Sequence, residues 1–167
     1  MNLQPIAERQ AALDALIEKK VQQQQEDFKL DSFDAQNDLR YAFFVELGEL
    51  SNEVGFFKYW KQSHKMNKTK TLDEWADCFH FLTSIANNRK YTKFIKEVDA
   101  FYLWEDYPLK EMFNLLLDND LNSSGQVIMA YQLLLGIGFK LGFTEEELIK
   151  AYETKNLENY TRVYGGY

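Results

Sequence analysis

Apolar residues recur at intervals of three and four along most of the chain, and strict alternation of apolar and polar residues is rare. Spacings of three and four place side chains on one face of an α-helix, whereas alternation is typical of a half-buried strand. Only 2 prolines and 8 glycines interrupt the pattern. The sequence therefore predicts an all-α helical bundle, and the absence of a repeat or linker-like segment favours one domain over residues 1–167.

The first half of the chain divides into two predicted helices. Pro5 suits the first turn of a helix, where its missing N–H costs nothing, and this helix is predicted to run to the glutamine tract at 22–25. A turn at 30–34 leads to a second helix over residues 35–62. The segment SHKMNKTK at 63–70 is expected to be a polar, basic loop.

A third helix is predicted to start at Thr71 and to run to about Asn87. The sequence TLDE matches a capping box, in which the Thr71 hydroxyl and the Glu74 carboxylate satisfy free N–H groups. Residues 91–118 are expected to form one or two shorter helices, interrupted near Pro108.

The segment GQVIMAYQLLLGIGF, residues 125–139, is apolar on nearly every side of a helix that starts within NSSGQ. A helix of this kind must be buried all round, and a small domain offers few enclosed positions. A second subunit would provide the cover, and a two-fold dimer is the commonest arrangement. The alternative is a central helix wrapped by its own chain.

The final helix is predicted to begin after Gly142 and to continue to the end of the chain. Thr144 and Glu147 form a second capping box at its start. If the helix continues, Lys155, Asn159 and Arg162 lie on one face, where they could bind oxyanions and a base edge. Cations near a helix C-terminus that favour its dipole are the plainer interpretation.

The charge and the single cysteine narrow the classes of protein. The net charge is −7, which argues against a nucleic-acid-binding protein. Cys78 has no second cysteine to pair with, which fits a reducing compartment. No apolar run is long enough to span a bilayer, and the charged N-terminus is unlike a signal peptide. We expect a soluble, intracellular protein that binds neither nucleic acid nor membrane.

Acidic residues interrupt the apolar face of the predicted second helix, at Glu46, Glu49 and Glu53. The face of Glu46 also holds the apolar residues Leu39, Ala42, Phe43, Leu50, Phe57 and Trp60. Carboxylates are therefore expected where side chains should be buried, and burying an unpaired charge costs several kcal/mol.

The predicted third helix repeats this arrangement. Glu74 shares its face with Cys78, Phe81 and Ile85, and Asp77 lies one step round. Like charges on adjacent apolar faces repel each other and lose hydration, and a hard divalent cation resolves both costs.

These acids form a candidate Mg²⁺ site, composed of Glu46, Glu49, Glu74 and Asp77. A Mg²⁺ site of this kind commonly serves a phosphate substrate, for which FFKYWK supplies Lys58 and Lys61 around Trp60. The plainer interpretation is that each pair is a solvated face, that Glu74 only caps a helix, and that acids extend past apolar neighbours.

The motifs together resemble those of the all-α dimeric dUTPases of bacteriophages and some bacteria, within the MazG-like pyrophosphatases of nucleoside triphosphates. The resemblance rests on four segments in order: ERQAALDAL, VELGELSNE followed by FFKYWK, TLDEWADCFHF, and YETKNLENYTRVYGGY. It covers most of the chain. Asp14 stands where several relatives have asparagine, and Val45 stands where the broader superfamily often has an acid.

The resemblance implies a role for each candidate residue. It implies metal ligands at Glu46, Glu49, Glu74 and Asp77, a substrate motif at Lys155, Asn159 and Arg162, base recognition at Gln10 and Asp14, and pocket-lining positions at Trp60, Lys61 and Phe81. Together with the basic cluster around Trp60, this makes Lys58, Lys61, Lys155 and Arg162 the expected phosphate-binding residues. Glu49 is the expected catalytic residue, which orients or deprotonates the attacking water.

The implied activity is Mg²⁺-dependent hydrolysis of dUTP, and also dUDP, to dUMP by a homodimer in a bacterial or phage-infected cytoplasm. Two alternatives remain open. One is a house-cleaning pyrophosphatase for another nucleotide, and the other is a protein-binding factor that captures a repressor.

Overall fold

The computed structural model describes residues 1–24, 32–102 and 104–165, and helices account for most of these ranges. The α-helices are α1 (Gln4–Gln24), α2 (Ser32–Val54), α3 (Lys68–Asn88), α4 (Leu109–Leu117), α5 (Ser124–Lys140) and α6 (Glu145–Gly165). A 3₁₀ helix, Tyr91–Lys93, follows α3, and one isolated antiparallel bridge joins Asn2 to Glu97. The predicted all-α fold is confirmed.

Helix α3 is the central element, because it packs against α1, α2, α5 and α6. Trp75 stacks on Phe79 with ring centroids 4.7 Å apart, and its indole N–H donates to the Leu134 carbonyl of α5 at 2.8 Å. The buried core draws on all of the α-helices. Polar groups on α3 therefore reach α2 on one side and both α1 and α6 on another.

Helix α2 ends at Val54, so the prediction of a helix to Gln62 is wrong. Gly55 has a φ of +69°, and its N–H bonds to the Ser51 carbonyl at 2.9 Å. Glycine adopts this left-handed conformation without a Cβ penalty, which makes it a frequent helix terminator.

The residues after Gly55 form a loop instead of the last turns of α2. The His64 imidazole contacts the Glu53 carbonyl at 2.7 Å, so this histidine is not the freely solvated side chain that its polar surroundings suggest. Its ring covers Gly55 so closely that a Cβ there would lie 2.5 Å away. Phe57 and Trp60 consequently do not continue the apolar face of the second helix.

Helix α3 begins at Lys68, earlier than predicted, and the loop predicted at 63–70 is correspondingly shorter. Asn67 is its N-cap, and the amide oxygen accepts hydrogen bonds from backbone N–H groups of the first turn. Thr71 instead donates its hydroxyl to the Asn67 carbonyl at 2.8 Å. The predicted capping box of Thr71 and Glu74 is therefore wrong, because Asn67 caps this helix.

The structure also bears on two predicted connections, the turn before α2 and the segment between α3 and α5. The turn predicted at 30–34 lies partly outside the described residues, and α2 already begins at Ser32. Residues 91–118 contain the 3₁₀ helix and α4, and α4 begins directly after Pro108, as predicted.

The predicted starts of α5 and α6 are confirmed. Ser123 and Gln126 form a reciprocal capping box at α5. Gly142 adopts a φ of +87° after α5. At α6 the Thr144 N–H donates to the Glu147 carboxylate at 2.8 Å, and the Glu147 N–H donates to the Thr144 hydroxyl at 3.2 Å.

Helix α5 is covered by its own chain. It packs against α3, α4 and α6, and its large fully buried side chains are Val127, Tyr131, Leu133, Leu134, Leu135 and Ile137. The argument that its apolar surface requires a second subunit is therefore wrong, and the alternative of a wrapped central helix is confirmed. The homodimer implied by the resemblance stays a prediction.

In the ranges that the structure describes, no single helix combines the length and apolarity needed to cross a bilayer. Helices α5 and α6 meet that test of length and composition only as a pair bent by 113°.

Candidate functional site

Three carboxylates from two helices converge between α2 and α3. One oxygen each from Glu46, Glu74 and Asp77 can be chosen so that all lie within 4.8 Å of one another. We call these residues the carboxylate cluster. Each side chain is half-buried, because its neighbours along the helix are anchored in the core. Leu47 and Cys78, adjacent to the acids, are fully buried.

The cluster concentrates negative charge in a partly desolvated place. Burial, together with the charges of Asp77, Glu49 and Glu74, raises the pKa of Glu46 to about 7. Burial likewise raises the pKa values of Glu74 and Asp77. Carboxylates whose ionisation is disfavoured by burial and by each other form an environment in which a bound divalent cation removes both costs.

Lys155 of α6 is the cation that closes one side of the cluster. Its buried ammonium lies 2.6 Å from Asp77 Oδ2 and 2.7 Å from Asp73 Oδ1. Burial lowers the pKa of Lys155, but the hydrogen bonds to Asp73 and Asp77 outweigh it and leave the pKa above its ordinary value. Asp73 was not among the predicted residues, although it lies one turn before Asp77.

Glu49 lies beside the carboxylate cluster and not within it. Its side chain is exposed, and its charge raises the pKa values of Glu46 and Glu74. Glu53, the third acid of the α2 series, accepts from the Asn67 N–H at 3.3 Å. Of the three acids of α2, Glu46 belongs to the cluster and Glu49 is its exposed neighbour. Glu53 joins α2 to the residue that precedes α3.

The loop after α2 carries the predicted FFKYWK residues. Lys58 donates to the Asn52 carbonyl at 2.5 Å, so its ammonium is held at the end of α2. Trp60 is 60% exposed and lies edge-on to Tyr59, and Lys61 is also exposed. The loop thus presents Trp60 and Lys61 to solvent, while Lys58 has a local structural contact.

A second polar region lies between α1, α3 and α6, and it consists of Gln10, Asp14, His80, Ser84 and Tyr152. We call it the polar network. The Gln10 amide N–H₂ donates to Asp14 Oδ1 at 2.9 Å and to the Ser84 hydroxyl at 3.0 Å. Ser84 donates to the same Asp14 oxygen at 2.9 Å. These bonds fix the orientation of both predicted base-binding residues.

The other side of Gln10 is held equally firmly. Its carbonyl oxygen lies 2.5 Å from His80 Nδ1 and 3.1 Å from the Tyr152 hydroxyl, which also lies 3.1 Å from the Ile6 carbonyl. His80 and Tyr152 stack with ring centroids 4.4 Å apart. The other ring nitrogen of His80, Nε2, lies 3.3 Å from the Tyr152 carbonyl oxygen, so both ring nitrogens face acceptors and a neutral imidazole can donate to only one of them.

The burial of this region shifts its titrations. Burial lowers the pKa of His80 to about 4, so the imidazole is neutral at pH 7. Burial also raises the pKa of Asp14, although the hydrogen bonds from Gln10 and Ser84 oppose the change. His80, Ser84 and Tyr152 were missed as site residues. The available signal was the spacing of Asp77, His80 and Ser84, which is typical of one helical face.

The remaining predicted residues lie near these regions. Phe81 is half-buried and packs at the edge of the core. On α6, the Arg162 guanidinium donates to the Asn159 amide oxygen at 3.3 Å, and its charge lowers the pKa of Asp77. Helix α6 therefore brings a lysine and an arginine to the side of α3 that carries the cluster.

Comparison with known proteins gives one decisive result. A family model described as dUTPase matches residues 2–167. The chain belongs to the dUTPase family. A search of curated proteins finds no match.

Membership of this family assigns the activity. The protein is a dUTP diphosphatase, a hydrolase of nucleotide metabolism that converts dUTP to dUMP. The dUTPase family generally uses a divalent metal, and the oxygen-only donors of the carboxylate cluster fit a hard cation. Nitrogen and sulfur donors are not part of this group, because Cys78 is fully buried beside it and His80 belongs to the polar network.

Proposed function

We propose that this dUTPase is Mg²⁺-dependent and that the carboxylate cluster, extended by Glu49, holds the metal. The observation that carries the proposal is the convergence of Glu46, Glu74 and Asp77, which offer oxygens within 4.8 Å of one another. Burial and the neighbouring acids disfavour the ionised form of Glu46, and a bound cation would offset that cost. Oxygen donors in such number suit Mg²⁺ better than metals that prefer imidazole or thiolate.

A Mg²⁺ ion bound there would polarise phosphate oxygens and lower the pKa of a coordinated water. The protein contributes a base and positive charge. We propose that Glu49, exposed beside the cluster, accepts a proton from the water that attacks the α-phosphorus. The new bond joins the water oxygen to the α-phosphorus, and the broken bond releases pyrophosphate from dUTP.

Positive side chains stabilise the charge on the phosphates. Lys155 and Arg162 are the best supported, because one bonds to Asp77 and the charge of the other acts on Asp77. Lys61 is exposed on the loop after α2 and can turn toward a phosphate. Lys58 has a weaker case, since its ammonium is held by the Asn52 carbonyl.

Base and sugar recognition is assigned to the adjacent polar network and its surroundings. Gln10 and Asp14 would bind the uracil edge, and Phe81, Trp60 and Asn159 would line the nucleotide. Support comes from the rigid positions of Gln10 and Asp14, whose hydrogen bonds leave them little freedom. A site held in this way discriminates bases well, because a mismatched analogue leaves buried polar groups unpaired.

We further propose that dUDP is a second substrate, and that the enzyme is a cytoplasmic homodimer. Exposed Tyr41 and Val45, one turn apart on α2 and 71% and 58% exposed, offer an apolar surface for a second copy.

The direct test is hydrolysis of a panel of nucleotides with Mg²⁺ and with EDTA. We expect dUTP to give dUMP and pyrophosphate only with Mg²⁺, with dTTP, dCTP and UTP much slower. Unchanged turnover of dUTP in EDTA would contradict the metal. Equal turnover of dUTP, dCTP and dTTP would favour a broad pyrophosphatase.

A further inference from the structure

Asn156 of α6 is a buried amide whose N–H₂ group lacks an acceptor in the described part of the chain. The residue is 6% exposed, and its Nδ2 has no hydrogen-bond partner among the described residues. A buried N–H₂ group without an acceptor is unfavourable, and such groups in folded proteins call for an explanation. An apolar side chain of similar size at this position would avoid the cost.

The register of the helices shows the level along the bundle at which Asn156 lies. Helix α1 runs antiparallel to α3, because Ala7 bonds to Asn87 and Asp14 bonds to Ser84. Helix α6 also runs antiparallel to α3, since the Tyr152 carbonyl contacts His80 and Lys155 bonds to Asp73. Helices α1 and α6 therefore run in the same direction.

This register places Asn156 level with the predicted base-binding residues. The Tyr152 hydroxyl contacts the Ile6 carbonyl and Gln10, and Glu153 bonds to Arg9. One turn further along α6, Asn156 lies at the level of the turn of α1 that runs from Gln10 to Asp14. It also follows Lys155, which reaches the carboxylate cluster.

Asp14 supplies a matching acceptor. Both of its described hydrogen bonds, from Gln10 and Ser84, use Oδ1. Its Oδ2 takes no part in them. An amide donor and a carboxylate oxygen at the same level of the bundle complement a uracil edge, where carbonyl acceptors flank the N3–H donor. A cytosine edge presents an acceptor at N3, which a carboxylate oxygen would repel.

We propose that Asn156 is a specificity-determining residue of this enzyme, and that its amide donates to a uracil carbonyl oxygen beside the N3–H that Asp14 accepts. The inference rests on the proposed function of the adjacent site. It differs from the role expected for Asn159, which the resemblance implies and whose amide oxygen already bonds to Arg162. Asn156 was not among the residues that the motifs indicated.

The test compares Asn156→Leu with the matched control Asn119→Leu, using dUMP as the probe. Asn119 is 7% exposed, but its amide donates to the Gln126 carbonyl at 2.9 Å and accepts from the Leu121 N–H at 2.9 Å. Thermal unfolding is measured without nucleotide, and dUMP affinity is measured by titration calorimetry on the full chain.

We expect opposite effects from the same substitution. Asn156→Leu should unfold at an equal or higher temperature and bind dUMP about tenfold more weakly, the value of one buried hydrogen bond. Asn119→Leu should unfold at a lower temperature and keep its affinity for dUMP. An Asn156→Leu protein that binds dUMP like the unmodified chain would overturn the inference.

A second variant and the unmodified chain distinguish failure of this inference from misfolding and from failure of the proposed function. If Asn156→Leu does not fold, Asn156→Ala, which removes the donor without adding a charge, must show the same loss of dUMP affinity. Unchanged affinity in that variant would also overturn the inference. If the unmodified chain neither binds dUMP nor hydrolyses dUTP, the proposed function itself fails, independently of Asn156.

Discussion

The carboxylate cluster and the polar network share helix α3, yet they solve opposite problems. The cluster gathers acids whose charges repel one another, and Lys155 supplies a positive charge 2.6 Å from Asp77. The polar network pairs each donor of Gln10 with an acceptor and its carbonyl oxygen with donors. One region is electrostatically unsatisfied, and the other is almost fully satisfied.

The difference suggests two separate tasks: in the proposed site, the carboxylate cluster would bind a cation, whereas the polar network holds side chains in fixed orientations. Apolar neighbours such as Leu47 and Cys78 hold the acids in place against their repulsion. The packing of the helices holds the acids together before any cation is present. A cation could therefore bind between them without a rearrangement of the helices. The polar network instead fixes side chains that, in the proposed site, would present one hydrogen-bonding pattern to a base.

The largest expected effect comes from removing a member of the carboxylate cluster. Glu46→Gln and Asp77→Asn should each lower the rate of dUTP hydrolysis by at least about 100-fold, since metal-site residues beyond the ligands already cost that much. In EDTA, Glu46→Gln should unfold at the same or a higher temperature, because one repulsive charge is gone. Steady-state kinetics and thermal unfolding measure both, and near-normal turnover would contradict the metal assignment.

The polar network should control how stability depends on pH through His80. Its pKa is lowered by burial to about 4, from 6.5, so the unfolded chain binds a proton at pH values where the folded chain does not. The stability contributed by neutral His80 is therefore present above pH 6.5 and is lost as the pH falls toward 4.

Between pH 7 and pH 5 the free energy of unfolding should change differently in His80→Gln and in the unmodified chain. The loss due to His80, about 2 kcal/mol, should occur only in the unmodified chain. Urea unfolding of both proteins at the two pH values measures the difference. Comparing the change within each protein cancels the opposite contribution of Glu46, which is present in both. Parallel pH dependence of the two proteins would show that His80 is not the buried neutral group described.

A smaller effect is expected from Tyr152→Phe. The hydroxyl contacts the Ile6 carbonyl and Gln10, but Gln10 keeps His80 as a donor. Loss of the hydroxyl should therefore lower the free energy of unfolding by about 1 kcal/mol. Tyr160→Phe on the same helix is a suitable control. A loss in Tyr152→Phe no greater than in this control would mean that the network does not depend on the hydroxyl.

Periodicity alone predicted the helices and the acids on their apolar faces, because both depend on neighbours within one turn. The ends of α2 and α3 were misplaced, since His64 folds back over Gly55 and Asn67 competes with Thr71 as the cap. Such outcomes depend on which of several suitable residues finds a tertiary contact.

The polar network could not be predicted from spacing. Gln10 and His80 are 70 residues apart, and Gln10 and Tyr152 are 142 apart. Their meeting depends on how α1, α3 and α6 pack. The pairing of Lys155 with Asp73 is of the same kind, because an exposed acid in the first part of α3 carries no local sign of its partner.

The most direct test of the account is calorimetric titration of Mg²⁺ into the unmodified chain, Asp77→Asn and Asp73→Asn. Asp77 belongs to the carboxylate cluster, whereas Asp73, on the same helix and also bonded to Lys155, does not. We predict that Asp73→Asn binds Mg²⁺ with close to the unmodified affinity and that Asp77→Asn loses measurable binding. Equal Mg²⁺ affinity in Asp77→Asn and the unmodified chain would contradict the assignment of the cluster as the metal site.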